Sequence, residues 1–325
     1  MSDLYFLLAA VAVLAILSLF RFINAVGCEK VFPLDSIEVC YEATYPLTVI
    51  KEPPVAYWRL QEPSSAEPPG PAPPVGAPPV SGGTAKDEMG QGLNPGVYKK
   101  IQLAPGSNSA AAPGTLILGV PGLLTPEEPT EEPSTSMEVD GGFVEVPFTS
   151  ALHAPSFTVE ALVWPDSATS NETDIFRTVI ESSGDDVSNS PTRGYGIYAG
   201  PEDFTVPNLP SVWQVWMGNG STFQPVIKAP AQHLVFDKPT YLAVTFDGSE
   251  ITLYVYYANI DNGLFLSSVS FSYQPETTTS LFIGIGRLPP NLFYPFKGKI
   301  QEVAVYDKAL TKQCVAGHGP RALGL

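Results

Sequence analysis

The stretch Phe296-Lys-Gly-Lys-Ile-Gln-Glu-Val-Ala-Val-Tyr-Asp-Lys-Ala-Leu310 decides the fold. It reads as a glycine turn at Gly298, a strand carrying Val303, Val305 and Tyr306, and a charged turn at Asp307-Lys308. Segments of the same kind precede it. An opening strand is expected over Pro54–Glu62, followed by Phe143–Phe148, Phe157–Trp164, Ile175–Glu181, Gly194–Ala199 and Ser211–Met217. Tyr241–Phe246, Ile251–Tyr257, Ser267–Tyr273 and Leu281–Ile285 continue the series. In Phe157–Trp164 the two-residue period of a strand puts Phe157, Val159, Ala161 and Val163 on one face. Gly, Asn, Asp and Pro separate the segments, and no helix-length apolar period intervenes. Many short strands with such turns predict an all-β, two-sheet antiparallel sandwich.

Composition bounds what such a sandwich can do. The chain has 325 residues, of which 44% are hydrophobic and only 15% charged, so a large core can be buried. A formal net charge of −16 repels phosphate backbones, and no basic patch with interleaved aromatics offsets it, so nucleic acid is excluded as a partner. Three cysteines, Cys28, Cys40 and Cys314, are too few for a disulfide framework and show no zinc spacing. Cys28 and Cys40 can close a short loop if their side is oxidising. The 34 prolines are concentrated in part between Pro63 and Thr84, which reads as an extended polyproline-like loop.

The N-terminus has a different character. Leu4–Phe20 is an uncharged run of 17 residues, apolar on every face. Phe22, Ile23, Ala25 and Val26 extend it past a snorkelling Arg21 to the length that spans a bilayer. Residues 1–27 are therefore expected to be an uncleaved transmembrane anchor in membrane lipid, 28–52 a connector, and 53–325 the sandwich with its insert at 63–84. Orientation stays open. Arg21 and Lys30 follow the run and no Lys or Arg precedes it, which puts the sandwich on the cytosolic side. The sequons at Asn171-Glu-Thr and Asn219-Gly-Ser, with the cysteine pair, point outward.

Several fragments, in order, resemble the LamG-like (laminin G, concanavalin A-like lectin) jelly-roll family over roughly residues 53–323. They include Ala56-Tyr-Trp-Arg-Leu60, Asp87-Glu-Met-Gly-Gln-Gly-Leu-Asn-Pro-Gly-Val-Tyr98, Gly119-Val-Pro-Gly122, Val139-Asp-Gly141 and Phe157-Thr-Val-Glu-Ala161. Gly194-Tyr-Gly-Ile-Tyr198, Val244-Thr-Phe-Asp-Gly248, Leu253-Tyr-Val255 and the closing Ile300-Gln-Glu-Val-Ala304 complete the series. The closing strand carries Gln301 where the family commonly has Asp, and Tyr256-Tyr257-Ala258-Asn259 replaces a tight Asn-Gly turn. The resemblance implies a concanavalin A-like jelly roll. It also implies calcium, the one ion the sequence suits, with Asp87, Asp140 and Glu302 as the nearest ligands.

No catalytic constellation is visible. The strands carry no run of alternating carboxylates such as glycoside hydrolysis uses, and His153, His233 and His318 accompany no nucleophile motif. A glycan site would instead need aromatic faces. Tyr254 and Tyr256 leave the strand opposite Leu253 and Val255, and Trp213 and Trp216 lie on opposite faces of theirs, so one tryptophan points outward. The first reading is a non-catalytic, membrane-anchored binding or adhesion protein at a cell surface, recognising a glycan or glycoprotein. The alternative is a structural component of a large assembly, a membrane-anchored minor capsid or virion protein whose jelly roll packs against neighbouring assembly proteins.

Overall fold

The computed structural model describes residues 44–64, 70, 79–89, 92–101, 114–124, 133–167, 176–185, 191–203, 205–206, 209–257, 264–288 and 292–324. The apolar run at 4–20, Cys28, Cys40 and Asn171 lie outside them. Among the described residues no helix is long and apolar enough to cross a membrane.

The chain divides into two compact units, Met1–Lys51 and Glu52–Leu325. The first contributes helix α1 (Tyr45–Lys51), within the expected connector. The second carries the strands β1 (Ala56–Trp58), β2 (Val80–Ala85), β3 (Gly96–Lys100), β4 (Thr115–Pro121), β5 (Thr135–Asp140), β6 (Gly142–Val146) and β7 (Phe157–Pro165). Next come β8 (Arg177–Glu181), β9 (Gly184–Asp185), β10 (Pro191–Arg193), β11 (Tyr195–Pro201), β12 (Ser211–Gly218) and β13 (Phe223–Lys228). Then follow β14 (Thr240–Phe246), β15 (Glu250–Tyr257), β16 (Leu264–Ser270), β17 (Leu281–Ile283), β18 (Arg287–Leu288), β19 (Leu292–Phe293), β20 (Lys297–Tyr306) and helix α2 (Lys312–Leu323).

Two eight-stranded sheets form the sandwich. The first runs β16-β15-β14-β7-β20-β5-β4, with β1 also paired to β20; the second runs β13-β12-β11-β8-β17-β6-β3-β2. Every strand pair in them is antiparallel. The two inner faces share one core, in which Trp58, Phe157, Val159, Val244, Leu253 and Val305 of the first sheet meet Val144, Ile197, Trp213 and Val215 of the second. Alternation explains this. Phe157, Val159, Ala161 and Val163 all enter the core, as their period requires.

The decisive stretch forms the middle of the first sheet, but not as a turn followed by a strand. β20 runs straight through Gly298, where only glycine fits: its φ is +134, and a Cβ there would fall 2.0 Å from the Trp164 carbonyl oxygen. The irregularity comes later. Between Gln301 and Ala304 the pairing with β7 slips by one residue, and Glu302 sits at φ 55. That bulge resets the alternation, so Val303 and Val305 face the core while Gln301, Glu302 and Ala304 do not.

Other departures have local causes. The expected proline-rich loop ends early, since Val80–Thr84, which follow the last proline, Pro79, already belong to edge strand β2. β3, β4 and β5 lie where no strand was expected. Helix α2 escaped notice because Gly317, Gly319 and Pro320 suppress helical propensity. Its ends are nevertheless well signalled. Thr311 Oγ1 accepts from the Cys314 N–H at 3.2 Å, and Gly324 closes it in the left-handed conformation.

Candidate functional site

The outer face of the second sheet collects aromatic rings. β11 reads Tyr195-Gly-Ile-Tyr-Ala-Gly-Pro201; Tyr195, Ile197 and Ala199 enter the core, so Gly196, Tyr198 and Gly200 face away. The two glycines are there for space. A Cβ on Gly196 would lie 2.5 Å from the Tyr198 hydroxyl oxygen, and one on Gly200 would lie 2.4 Å from Phe176 Cδ1. With neither present, the Tyr198 and Phe176 rings settle onto the strand itself.

β12 sorts its tryptophans in the same way. Trp213 is fully buried in the core, its indole N–H donating to the His233 carbonyl at 3.1 Å. Trp216 is half-buried on the opposite face. Phe223 on β13 lies 6.0 Å from Trp216 at an interplanar angle of 36°. Phe176 stands edge-on to Trp216 at 5.4 Å, and Tyr294 edge-on to Phe176 at 5.6 Å. The result is a strip, Phe223-Trp216-Phe176-Tyr294, of four half-buried rings with the buried Tyr198 beside them.

Buried polar groups hold the strip in place. Trp216 Nε1 donates to Gln214 Oε1 at 3.1 Å, while Gln214 Nε2 donates to the carbonyls of Gly200 at 3.1 Å and Pro201 at 2.6 Å. One glutamine thus satisfies the indole and ties β12 to β11. Beneath the rings, Glu181 is fully buried and accepts from Ser183 Oγ and from the Tyr198 hydroxyl. Burial first, then the Glu181 charge, pushes the Tyr198 phenol well above its ordinary range. Thr178 Oγ1 is buried with no hydrogen-bond partner among the described residues.

Two carboxylates on this face, Glu145 and Glu181, stand on strands separated by β17. In register order Glu145, Phe282 and Glu181 stand side by side on β6, β17 and β8. The Phe282 side chain therefore separates them, and Glu145 is engaged by Lys99 and by Ser280 Oγ at 3.1 Å. Glycoside hydrolysis needs two carboxyl groups open to one bond between them.

The other expected residues are placed differently. Tyr254 and Tyr256 do leave the core, onto the outer face of the first sheet, but they are only 4% and 8% exposed. Helix α2 crosses there. Its His318 meets Glu160 at 2.9 Å, Tyr241 Oη donates to Glu160 at 2.8 Å, and Tyr241 and Tyr256 pack edge to face at 5.9 Å. Of the four aromatic candidates, only Trp216 lies on an accessible face. Phe176, Tyr198, Phe223 and Tyr294 were not singled out; the glycine-spaced Gly196-x-Tyr198-x-Gly200 was the signal that could have found part of the strip.

Asp87, Asp140 and Glu302 do not converge. Among the described residues no group of three or more His, Cys, Asp or Glu could hold a metal ion. Asp87 accepts from the N–H groups of Tyr57 and Met89 at 3.0 Å each and of Asn94 at 3.1 Å, which fixes the loop before β3. Asp140 faces Lys297 at 3.5 Å. Glu302 is wholly buried. It accepts from Arg59 Nε at 3.1 Å, Gln61 Nε2 at 2.6 Å and the Tyr57 hydroxyl.

A family model described as the concanavalin A-like lectin/glucanases superfamily matches residues 140–316. No curated protein matches the chain. Among solved structures, the CBM40 of Ruminococcus gnavus IT-sialidase bound to α2,3-sialyllactose superimposes with TM-score 0.40 at 14% identity, covering 52% of this chain and 85% of its own. Domain 4 of AbnA, a GH43 arabinanase of Geobacillus stearothermophilus, in complex with arabinotriose, gives 0.36 at 17% identity, covering 64% and 88%. A heptameric SAP-like pentraxin from Limulus polyphemus gives 0.34 at 12%, covering 52% and 70%.

Proposed function

The chain belongs to the concanavalin A-like lectin/glucanases superfamily, and from that premise we propose that it is a non-catalytic glycan-binding protein whose ligand lies on the outer face of the second sheet. The strip Phe223-Trp216-Phe176-Tyr294 is the observation that carries this reading. Sugar rings present C–H faces that stack on aromatic faces, and they need hydroxyl partners at the edges. Trp216 is the central platform, held at a fixed tilt by Gln214, so little rotamer freedom is lost when a sugar settles on it. A non-catalytic role fits the separation of Glu145 from Glu181 by Phe282.

Residues 4–20 anchor this domain in a membrane, which makes it a surface adhesion module if the sandwich faces outward. The assembly reading draws its support from Arg21 and Lys30, the positive charges after the run. Protease treatment of intact and permeabilised cells separates the two sides.

Binding is tested by calorimetric titration of the detergent-solubilised full chain against neutral and acidic oligosaccharides, with Trp216→Ala and Phe223→Ala alongside. Retention by the native chain, weakened about tenfold or more in both variants while they stay folded, is the expected result. No retention by the native chain, or equal retention by Trp216→Ala, overturns the proposal.

A further inference from the structure

The hairpin that joins β12 to β13 holds the sequon Asn219-Gly220-Ser221, and its geometry is that of an acceptor. The Asn219 backbone N–H donates to the Thr222 carbonyl at 3.0 Å, closing the turn. The Asn219 amide oxygen accepts from the backbone N–H groups of Ser221 and Thr222, both at 2.9 Å. Those two groups can only donate, so the atom facing them must be Oδ1 and the orientation of the amide is decided. Nδ2 is then turned out of the hairpin, and among the described residues it meets no acceptor. Asn219 is half-buried, while Gly220, Ser221 and Thr222 are exposed, so the hydroxyl two positions on is accessible.

The residue between them suits the same purpose. Gly220 takes φ +88, a conformation that other side chains rarely adopt, and its N–H is anchored to the Thr192 carbonyl at 2.8 Å. The acceptor amide thus projects from a turn fixed to the body of the sandwich rather than from a loose loop. Many sequons are chance occurrences; one displayed on an ordered, exposed hairpin with its nitrogen outward meets the steric demands of transfer.

We propose that Asn219 is an N-glycosylation site. Nδ2 attacks the anomeric carbon of a sugar carried on a lipid diphosphate, the donor class such transfer requires. A C–N bond forms, the C–O bond to the diphosphate breaks, and the lipid diphosphate leaves with the electron pair. The amide gives up one proton to a base of the transferase. The modification puts the sandwich on the lumenal or outer side of its membrane, and it does not depend on the glycan-binding proposal.

The test expresses the full chain in eukaryotic cells that carry out N-glycosylation, with Asn171→Gln to silence the second sequon. Tryptic peptides are read by mass before and after peptide N-glycosidase, which leaves aspartate at a formerly glycosylated asparagine. The Asn219 peptide is expected to be converted in the Asn171→Gln chain, unconverted in Asn171→Gln/Ser221→Ala, and converted again in Asn171→Gln/Ser221→Thr. Recovery of an unmodified Asn219 peptide from the Asn171→Gln chain overturns the proposal, whether the cause is the hairpin or the side of the membrane. Equal conversion in the Ser221→Ala chain overturns it as well.

Discussion

Gly319 of helix α2 rests directly on the ring of Tyr256: a Cβ added to Gly319 would fall 2.6 Å from Tyr256 Cδ2 and 2.8 Å from Cε2. The ring is buried where helix α2 packs on β15. A glycine inside a helix normally costs about 1 kcal/mol relative to alanine, so Gly319→Ala would ordinarily stabilise. Here overpacking of about 1–3 kcal/mol opposes that gain, and we expect a lower melting temperature. Gly317→Ala is the control. Its Cβ would meet only the flexible end of Arg321, at 3.2 Å, and the change should be neutral or stabilising. Thermal melts of the two variants with the same sign would refute the docking of α2 on Tyr256.

The two tryptophans of β12 should separate stability from binding. Trp213 is buried in the core, and its replacement by alanine is expected to cost about 3–5 kcal/mol. Trp216→Ala removes a half-buried ring from the outer face and should cost less, while lowering glycan affinity about tenfold or more, the equivalent of ~1.4 kcal/mol. Denaturant unfolding and titration of both variants check this. A Trp216→Ala chain as unstable as Trp213→Ala would return Trp216 to a packing role.

Most sheet strands from 143 onward were legible in the sequence because a strand has one period and that period survives in β7, β12, β14 and β15. β13 was not expected, and alternation put one tryptophan of β12 outward without deciding which. The strip was not legible. Its rings come from β12, β13, the residue before β8 and the residue after β19, and only the sheet order brings those segments together. Tyr256 was assigned to the correct face, yet nothing in the local pattern shows that a helix more than fifty residues later covers it. The burial of Glu302 was hidden for a related reason: alternation fails at a bulge, and the bulge depends on pairing with β7.

Asp87 offers a sharp test of the calcium expectation. Its carboxylate accepts charge-assisted bonds from three backbone N–H groups, each contributing about 1.5–3 kcal/mol. Asp87→Asn would turn an NH₂ group toward one or more of these donors, so the melting temperature should fall. Because N–H groups occupy the positions a cation would need, chelator and added calcium should leave the native melt unshifted. A rise with calcium that Asp87→Asn abolishes would restore the metal site.

Two buried glutamates should respond to pH with opposite signs. Burial pushes Glu302 above its ordinary 4.5, and Arg59, Tyr57 and Gln301 only partly counter it. Burial acts on Glu160 in the same direction, but His318, Tyr241 and Tyr306 outweigh it and hold its carboxyl below 4.5. The stability linked to Glu302 is therefore whole below its unfolded value and is lost as pH rises through the folded one. That linked to Glu160 is whole above its unfolded value and is lost as pH falls through the folded one. Glu302→Gln removes the cost of a buried charge while keeping groups that can bond Arg59 and Tyr57, so at pH 7 it should match or exceed the native chain, with the advantage shrinking toward pH 4. Glu160→Gln disturbs the acceptor that His318 and Tyr241 share and should lower stability at pH 7 by about 1–3 kcal/mol, with the deficit narrowing as pH falls through the folded value of Glu160. Chemical unfolding across pH 3–8 reads both, and equal losses at pH 7 would show that Glu302 is held as a stabilising anion instead.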